Sequence, residues 1–369
     1  MLMPRILLTG ATGFVGSVLA TMLLARGVQV TAISRRDTAG YRTLAAILEA
    51  ARGCGIRFTA EMADRLRTFD MGDRALSESL DDMAIDDIDA VWHCAADMSH
   101  SGLRLTQAFN TNVCETAALY RWASTKLPRC KRFYHMSTAY TAGMRGGATE
   151  EQLHAGQRLV NAYQVTKWAA EQALHTLHAA CNLPVTLFRP TIVVGHSQSG
   201  WTRRNGFGFY MFVEAVEAAR AAGQTRVAYD MPDGPCIDLI TVDSLVRDAV
   251  DLTLQEHDRG NFEVFHCAGG RSMSSRDMLS MIGDLLGVQI VSAPAESSHD
   301  RVFARAVGPN RPFAEMDWDF RRTRLDAVLG RDSGAEPVCT TQLRKLILWY
   351  VDAIRSAGDG AVVPAEAAG

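Results

Sequence analysis

Tyr163 and Lys167 are the two residues whose types and spacing most directly suggest chemistry. They lie four positions apart in a stretch with helical spacing, so the phenol and the ammonium share one helix face about one turn apart. A phenol with a pKa of about 10 is a poor base at neutral pH, and a cation held within ~4–6 Å favours the phenolate. The pair predicts a general acid or base, although such pairs also occur by chance on helix surfaces.

Hydroxyl residues precede this pair at the end of a predicted strand. Ser137, Thr138 and Tyr140 follow an apolar run that ends near residue 136. Open α/β sheets bind their ligands at the carboxyl ends of the strands, so these side chains are expected beside a ligand. Ser137 and Thr138 are the two candidates for a hydroxyl that contacts the substrate, and Tyr140 is predicted to form a wall of the pocket.

A glycine-rich turn near the N-terminus is typical of a dinucleotide site. Gly10, Gly13 and Gly16 follow the apolar run 6–8 and precede a predicted helix over 17–26. Such glycines allow a tight turn, let the backbone approach a pyrophosphate and let the helix pack closely on the strand. The helix N-terminus then offers N–H groups and a favourable dipole to the phosphates. The spacing G-x-x-G-x-x-G predicts a longer turn than the commoner G-x-G-x-x-G.

The end of the second predicted strand indicates which dinucleotide binds. A site that prefers NAD usually carries an acidic residue there, which accepts hydrogen bonds from the ribose hydroxyls, but this chain has Ser34, Arg35 and Arg36. Two arginines favour a 2′-phosphate, so the sequence predicts NADPH as the cofactor. The alternative is that both arginines are solvated loop charges.

Strand-like runs alternate with helix-length segments along most of the chain. This alternation predicts an α/β fold, a Rossmann-type doubly wound parallel sheet with helices on both faces. The predicted strands are 5–9, 28–34, 66–71, 89–95, 131–137, 184–188, 237–241 and 262–267. The apolar spacing predicts further helices over 41–53, 104–126, 158–181, 208–222, 243–256, 274–287 and 341–355. The stretch from the end of the 41–53 helix to about residue 65 is predicted to be an insertion.

The composition is that of a soluble globular protein and excludes several function classes. With 47% hydrophobic residues and a net charge of −3, the chain has no basic excess of the kind that nucleic acid binding requires. A strand beginning at residue 5 leaves no room for a signal peptide, and no apolar stretch reaches the length of a membrane span, which predicts a cytoplasmic location. The eight cysteines contain no C-x-x-C pair, so neither a disulfide framework nor a metal site is expected.

After residue 190 the alternation loosens, which predicts a smaller C-terminal substrate-binding lobe. The predicted segments are an NADP-binding domain over 1–195 to which 237–270 returns, a lobe from 196–236 and 271–355, and a disordered Ala/Gly/Pro-rich tail over 356–369. Trp201, Arg203 and Phe207 lie in a segment that is expected to cover the substrate pocket, and the alternative is that this segment is an ordinary exposed loop.

The glycine turn, the hydroxyl strand end and the Tyr-x-x-x-Lys pair together resemble the extended short-chain dehydrogenase/reductase family over about residues 5–270. Further segments that resemble this family lie at 91–96, at 112–116 and at Arg189-Pro190. Within that family, the segments 135–143, 161–167 and 189–195 with Gly200-Trp201 look most like the fatty acyl-CoA reductase, or male-sterility, and thioester-reductase branch.

This resemblance implies roles for individual residues. Tyr163 would be the general acid or base, Lys167 would lower its pKa and hold the nicotinamide ribose, and Thr138 rather than Ser137 would bind the substrate oxygen. Asn112 would complete the catalytic group. Asp70 is expected near the adenine, with Asp73 as its competitor. The expected cofactor contacts are Gly10, Thr12, Gly13, Phe14, Val15, Gly16, Ser34, Arg35, Arg36, Asp70, Met71, Cys94, Ala95, Ala96, Tyr163, Lys167, Pro190, Thr191 and Ile192.

The leading functional prediction is an NADPH-dependent reductase of a carbonyl or an acyl thioester. The acyl group of such a thioester would be carried by CoA or by a carrier protein. Neither nucleic acid nor a membrane is an expected partner, and the resemblance implies a homodimer through the helix that bears Tyr163. One alternative is a sugar-nucleotide epimerase or dehydratase that holds NAD tightly, which Arg35 and Arg36 disfavour. An alternative of another class is a non-catalytic protein that senses NADP, which the intact Tyr163 and Lys167 disfavour.

Overall fold

Apolar runs rich in β-branched residues mark the buried strands of this chain, and helices connect most of them. The computed structural model describes residues 3–83, 85–203, 208–255 and 260–358. Its strands are β1 (Arg5–Thr9), β2 (Gln29–Ser34), β3 (Leu66–Asp70), β4 (Ala90–His93), β5 (Arg132–Met136), β6 (Gly147–Thr149), β7 (Val185–Pro190), β8 (Ile192–Val194), β9 (Arg226–Ala228), β10 (Cys236–Thr241), β11 (Phe262–Cys267), β12 (Arg271–Ser274), β13 (Gln289–Val291) and β14 (Trp318–Phe320).

The α-helices carry the connections between these strands. They are α1 (Phe14–Ala25), α2 (Tyr41–Gly53), α3 (Ala60–Asp64), α4 (Leu76–Ser79), α5 (Leu105–Phe109), α6 (Glu115–Lys126), α7 (Ala162–Cys181), α8 (Phe209–Ala221), α9 (Val242–Leu254), α10 (Ser275–Leu286), α11 (Ser298–Val307), α12 (Arg311–Ala314), α13 (Thr323–Leu329) and α14 (Thr340–Gly358).

Seven parallel strands form the central sheet, in the order β11-β7-β5-β4-β1-β2-β3. Helices α6 and α7 pack on one face, where Leu119, Phe133 and Leu174 share a buried core. Helix α9 packs on the other face, where the Trp92 indole donates a hydrogen bond to Thr253 Oγ1 over 2.9 Å. Helices on both faces confirm the predicted doubly wound Rossmann-type sheet.

The predicted strand over 237–241 does not join this central sheet. It forms β10, the middle strand of a separate three-stranded sheet in the order β12-β10-β8. Its apolar residues are buried as in a central strand, so the residue pattern gives no sign of which sheet it enters. Smaller sheets pair β13 with β9 and β14 with β6.

The chain divides into two compact units. The first contains Met1–Val193, Asp238–Arg271 and Trp318–Pro337, and the second contains Val194–Ile237, Ser272–Asp317 and Val338–Gly369. The predicted lobe over 271–355 included residues 318–337, and this assignment was wrong because that segment belongs to the first unit.

Long-range contacts explain why residues 318–337 belong to the first unit. Strand β14 pairs with β6 in parallel register, and the Trp318 indole donates to the Gly143 carbonyl over 3.1 Å. Arg322 and Arg331 both form ion pairs with the fully buried Asp248 of α9. Partners that lie 74 or more positions away in the sequence cannot be read from local periodicity.

Several helix boundaries differ from the predictions. The single helix predicted over 104–126 is a 3-10 turn at Gly102–Arg104 followed by α5, a π-helical segment at Asn110–Cys114 and α6. Helix α7 begins at Ala162 rather than at 158, because the Asn161 side chain caps it by accepting from the Gln164 N–H over 2.8 Å. The predicted insertion, which runs from the end of the 41–53 helix to about residue 65, contains helix α3.

At the C-terminal end, the predicted disordered tail over 356–369 is corrected for its first residues. Helix α14 continues through Gly358, and the remainder of that predicted tail lies outside the described residues. Among the helices that the structure describes, none has the length and apolar character needed to cross a membrane.

Candidate active site

The glycine turn after β1 has contacts that only glycine permits. Gly10 has φ +79°, and a Cβ there would lie 2.6 Å from the Ala95 nitrogen and 2.7 Å from the Cys94 carbonyl carbon. A Cβ on Gly16 would lie 2.1 Å from the Gly10 carbonyl oxygen. The turn is thus pressed against the end of β4 on one side and against the first turn of α1 on the other.

The same turn leads directly into a helix N-terminus. Helix α1 begins at Phe14, three residues before the predicted start, and its cap residue Gly13 has no side chain to cover the first turn. Thr12 precedes this cap residue and Val15 lies in the first turn of α1, and their contact with a cofactor stays a prediction. A close glycine backbone at a helix N-terminus is the arrangement that fits a pyrophosphate.

The end of β2 brings together more charged groups than the sequence predicts. Arg36 forms an exposed ion pair with Asp73, the residue considered as a competitor for the adenine contact. The guanidinium of Arg42, on α2, donates to the Arg35 carbonyl over 2.9 Å and to the Arg36 carbonyl over 3.3 Å. Arg42 was missed because its distance of six positions from Arg36 across a turn is not a helical spacing.

Two carboxylates near β2 and β3 are held by backbone N–H groups. Asp37 is buried and accepts from the Arg42 and Thr43 N–H groups and from Thr43 Oγ1, which also lies 2.8 Å from Ser34 Oγ. Backbone hydrogen bonds from residues 36, 37 and 72 lower the pKa of Asp70. Asp70 therefore joins the end of β3 to the loop after β2.

Other predicted cofactor contacts lie at neighbouring strand ends. The Cys94 N–H donates to the Thr9 carbonyl and the Ala95 N–H donates to Thr9 Oγ1, which holds the segment 94–96 against the glycine turn. Met71 is buried in a hydrophobic cluster that also contains Leu7 and Ile33. Burial raises the pKa of the Cys94 thiol to about 12, so this cysteine is a neutral wall residue.

The segment after β7 is anchored by a buried carboxylate. Thr191 follows Pro190 and precedes Ile192, and its hydroxyl donates to Asp238 Oδ1 over 2.7 Å. Asp238 also accepts from the Gly269 and Gly270 N–H groups, and burial raises its pKa to about 6.

At the end of β5, the two competing hydroxyl residues have different partners. Ser137 donates to Glu171 Oε1 over 2.5 Å, whereas Thr138 lies close enough to the Tyr163 phenol to lower the pKa of that phenol. Burial raises the pKa of Tyr163, and the contact with Thr138 opposes this rise. The structure therefore brings Thr138 and Tyr163 together, and it assigns Ser137 to the interior of the protein.

Lys167 is almost completely buried, and its ammonium lies against the end of β5. Its ammonium donates to the Met136 carbonyl over 2.5 Å and lies 3.1 Å from His135 Nε2. Burial lowers the pKa of Lys167 to about 8. Desolvation of the phenol raises the pKa of Tyr163, and the lowering of that pKa by Lys167 stays a prediction.

Glu171, which the sequence interpretation did not use, anchors this part of the site. Its carboxylate binds the Arg189 guanidinium through two hydrogen bonds of 2.8 and 2.6 Å, and both side chains are fully buried. Glu171 lies four positions after Lys167 and eight after Tyr163, so all three residues share one face of α7. That spacing was the available signal.

Asn112 connects three parts of the site. Its side chain accepts from the Asp97 N–H over 2.7 Å, donates to the Asp97 carbonyl, and donates to Thr166 Oγ1 on α7. It lies in the π-helical segment, an irregularity often found at functional sites. His100, in the loop between β4 and this segment, has its ring 6.2 Å from the Tyr163 ring.

The residues predicted to contact substrate have different environments. Tyr140 is buried and packs edge-on against Trp318 and Phe320 of the first unit. Trp201 and Arg203 belong to the second unit, where Trp201 is buried. Phe207 lies outside the described residues.

Comparisons with known proteins agree with this arrangement of elements. A protein-family model described as "Male sterility protein" matches residues 8–249. The terminal R domain from the myxalamid PKS-NRPS biosynthetic pathway superposes with a TM-score of 0.74 at 20% identity, over 96% of this chain and 92% of that domain. At this identity the likeness shows a shared fold.

Two curated relatives differ in how much of them the chain covers. The dTDP-6-deoxy-L-talose 4-dehydrogenase (NAD(P)(+)) of Kitasatospora kifunensis is 28% identical over 342 residues, which are 88% of this chain and 93% of that enzyme. The carboxylic acid reductase of Segniliparus rugosus is 29% identical over 212 residues, which are 52% of this chain and 18% of that enzyme. The chain therefore spans only a small part of the reductase.

Proposed function

The chain belongs to the male sterility protein family, within the extended short-chain dehydrogenase/reductases, and we propose that it is an NADPH-dependent reductase of a carbonyl or acyl-thioester substrate. The observation that carries the proposal is the proximity of the Thr138 hydroxyl to the Tyr163 phenol at the carboxyl end of β5, where Thr138 lowers the pKa of that phenol. Two hydroxyl groups that meet there can both bind one substrate oxygen.

The cofactor would lie along the strand ends described above. The turn at Gly10, Gly13 and Gly16 would hold the pyrophosphate, and Arg35 and Arg36 would bind the 2′-phosphate of NADPH, with Arg42 adding a third cation. A nicotinamide cofactor, when bound, supplies the hydride that reduces the carbonyl carbon.

Tyr163 is suited to give a proton rather than to take one. Burial raises the pKa of the phenol, so it is protonated at neutral pH and can protonate the oxygen that becomes negative as the carbonyl is reduced. Thr138 would donate a second hydrogen bond to that oxygen. Lys167, which is charged below a pH of about 8, would offset the negative charge left on Tyr163.

An acyl thioester requires one further proton transfer. Reduction of its carbonyl with protonation by Tyr163 gives a hemithioacetal, whose carbon–sulfur bond breaks when the Tyr163 phenolate takes the hydroxyl proton back. The products are an aldehyde and a thiolate, which takes a proton from solvent. Tyr163 thus serves both steps, and no cysteine nucleophile is needed.

A sugar-nucleotide dehydrogenase or epimerase is the second candidate. It is favoured by the Kitasatospora relative, of which the chain covers 93%, compared with 18% of the carboxylic acid reductase. Ser34, Arg35 and Arg36 at the end of β2 disfavour the epimerase with tightly held NAD, because no carboxylate is present among these three residues to accept hydrogen bonds from the ribose hydroxyls.

The two candidates are separated by nucleotide content and turnover. The purified protein is denatured and the released nucleotide identified, and the intact protein is then assayed for NADPH oxidation with aldehydes, ketones, acyl-CoA and carrier-bound thioesters. The proposal expects little retained nucleotide and oxidation with at least one carbonyl or thioester. Stoichiometric NAD together with conversion of a nucleotide sugar would contradict it.

A further inference from the structure

His135 is a fully buried imidazole to which the proposed reaction gives no task. It precedes the last residue of β5, and strand alternation places it on the same face as Phe133, toward α6 and α7. Its Nε2 lies 3.1 Å from the Lys167 Nζ. On the neighbouring strands it pairs with His93 of β4 and with the apolar Leu187 of β7.

The chemistry of the two groups fixes the direction of this hydrogen bond. An ammonium has donors only, so Nε2 must accept and the imidazole proton must reside on Nδ1. That Nδ1 is buried and has no hydrogen-bond partner within the described part of the chain. A buried N–H without a partner lowers stability, so an apolar residue would serve the core better, and the contact with Lys167 remains as the reason for a histidine here.

The ring of His135 is held in place by its neighbour. The His93 ring stacks on it with centroids 5.5 Å apart, and His93 is itself fixed because its two nitrogens lie 2.7 Å from Thr9 Oγ1 and 2.9 Å from Thr116 Oγ1. Burial and the Lys167 charge hold the pKa of His135 well below its usual range, so the ring is neutral and keeps its lone pair. Glu171 and Cys94 are the other titratable groups that act on Lys167.

We propose that His135 is a positioning residue that holds the ammonium of Lys167 at the end of β5 and keeps it charged. The inference rests on the proposed function only for the role of Lys167 in the reaction, because the contact between His135 and Lys167 is part of the structure itself. Burial already lowers the pKa of Lys167 to about 8, so its charge is marginal just above neutral pH. A hydrogen bond to the charged form opposes this effect, and its loss would lower the pKa further, by about one unit.

Direct titration of Lys167 tests the proposal without any turnover. The sequence contains four lysines, at positions 126, 131, 167 and 345, and only Lys167 is buried, so the other three serve as internal references in an NMR titration of ¹³C-labelled lysine side chains. His135→Met removes the acceptor, and His135→Gln, of similar shape, restores an acceptor oxygen. We expect the Lys167 pKa to fall by about one unit in the Met variant and to stay near the wild-type value in the Gln variant.

A second readout separates positioning from general damage. The Kd for NADPH is measured as a function of pH. As the pH rises, NADPH binding should begin to weaken at a lower pH in His135→Met than in wild type, and His135→Gln should restore the wild-type profile. His266→Met, which removes a buried imidazole two strands away on β11, should leave that profile unchanged. His135→Phe, which keeps a ring against His93, replaces the Met variant if that protein does not fold.

An unchanged Lys167 pKa in the folded Met or Phe variant would overturn the positioning role, and so would equal shifts in the Met and Gln variants. Failure to bind NADPH at all would count against the proposed function instead. The lysine titration would still decide the role of His135 in that case.

Discussion

Ser137 and Thr138 are adjacent hydroxyl residues that the residue pattern alone cannot distinguish. The structure separates them through their partners, since Ser137 donates to the buried Glu171 and Thr138 meets Tyr163. Because Ser137 is already bound to a charged carboxylate, a hydrogen bond from it to a substrate would break an existing one. This makes Thr138 the better candidate for substrate contact.

Replacement of Tyr163 tests the proton donor. We expect Tyr163→Phe to lower kcat by at least about a hundredfold, the usual contribution of general acid catalysis, and to change the Kd for NADPH by less than about threefold. Tyr120→Phe is the control, because it also removes one buried hydroxyl, which donates to the Leu183 carbonyl. A Tyr163→Phe enzyme that retained more than a tenth of the wild-type kcat would refute the acid role.

The arginines after β2 test the choice of cofactor. If Arg35 and Arg36 bind the 2′-phosphate, charge-assisted hydrogen bonds of ~1.5–3 kcal/mol each imply that wild type prefers NADPH over NADH by at least about tenfold. The double variant Arg35→Ala/Arg36→Ala should weaken NADPH binding and leave NADH nearly unchanged. Isothermal titration with both nucleotides measures this, and Arg121→Ala/Arg344→Ala controls for lost surface charge. Equal losses for the two nucleotides would place the arginines elsewhere.

At the scale of elements, the contact between β1 and α1 depends on Gly16. A methyl group there would lie 2.1 Å from the Gly10 carbonyl oxygen, so the turn must move away from the position that fits a pyrophosphate. We expect Gly16→Ala to weaken NADPH binding by more than about tenfold. Gly308→Ala is the matched control, since a Cβ there meets no atom within 4 Å. Fluorescence titration of NADPH measures both, and equal affinities would contradict this reading of the turn.

The ion pair between α7 and β7 should be important for stability. Glu171 and Arg189 are both fully buried, and Glu171→Gln leaves a buried guanidinium without its counter-charge, which we expect to lower the free energy of unfolding by about 3–5 kcal/mol. Glu315→Gln removes one partner of a partly exposed pair with Arg311 and should cost less than about 1 kcal/mol. Urea denaturation measures the free energy of unfolding of both variants. Similar losses would show that the buried pair does not contribute more to stability than the partly exposed one.

Local sequence signals were sufficient for some elements and not for others. The strands of the central sheet follow from buried apolar runs, and the glycine turn follows from its spacing. Helix α11 was missed although Ser297 and Asp300 form a reciprocal cap at its start, because the prolines near it obscured the periodicity. The π-helical segment around Asn112 was not predictable, since it is stabilised by contacts with Asp97 and Thr166 that lie 15 and 54 positions away.

At the scale of the whole molecule, the first unit is completed by a late segment of the chain. Residues 318–337 supply β14, the aromatic rings that pack on Tyr140, and the arginines that bind Asp248. These contacts bring the segment next to the turn that follows Thr138. The site of the proposed reaction is therefore supported by chain segments far apart in sequence, and no local pattern could have indicated this.

The fate of the hydride tests the central claim most directly. NADPH carrying deuterium at the transferable position of the nicotinamide is incubated with the protein and the carbonyl or thioester substrate found in the assay, and the product is examined by mass spectrometry. A reductase moves one deuterium to the former carbonyl carbon in each reduction, and the Tyr163→Phe variant should form almost no labelled product. Substrate that is isomerised without gaining deuterium, while the nucleotide stays unconsumed, would contradict the account.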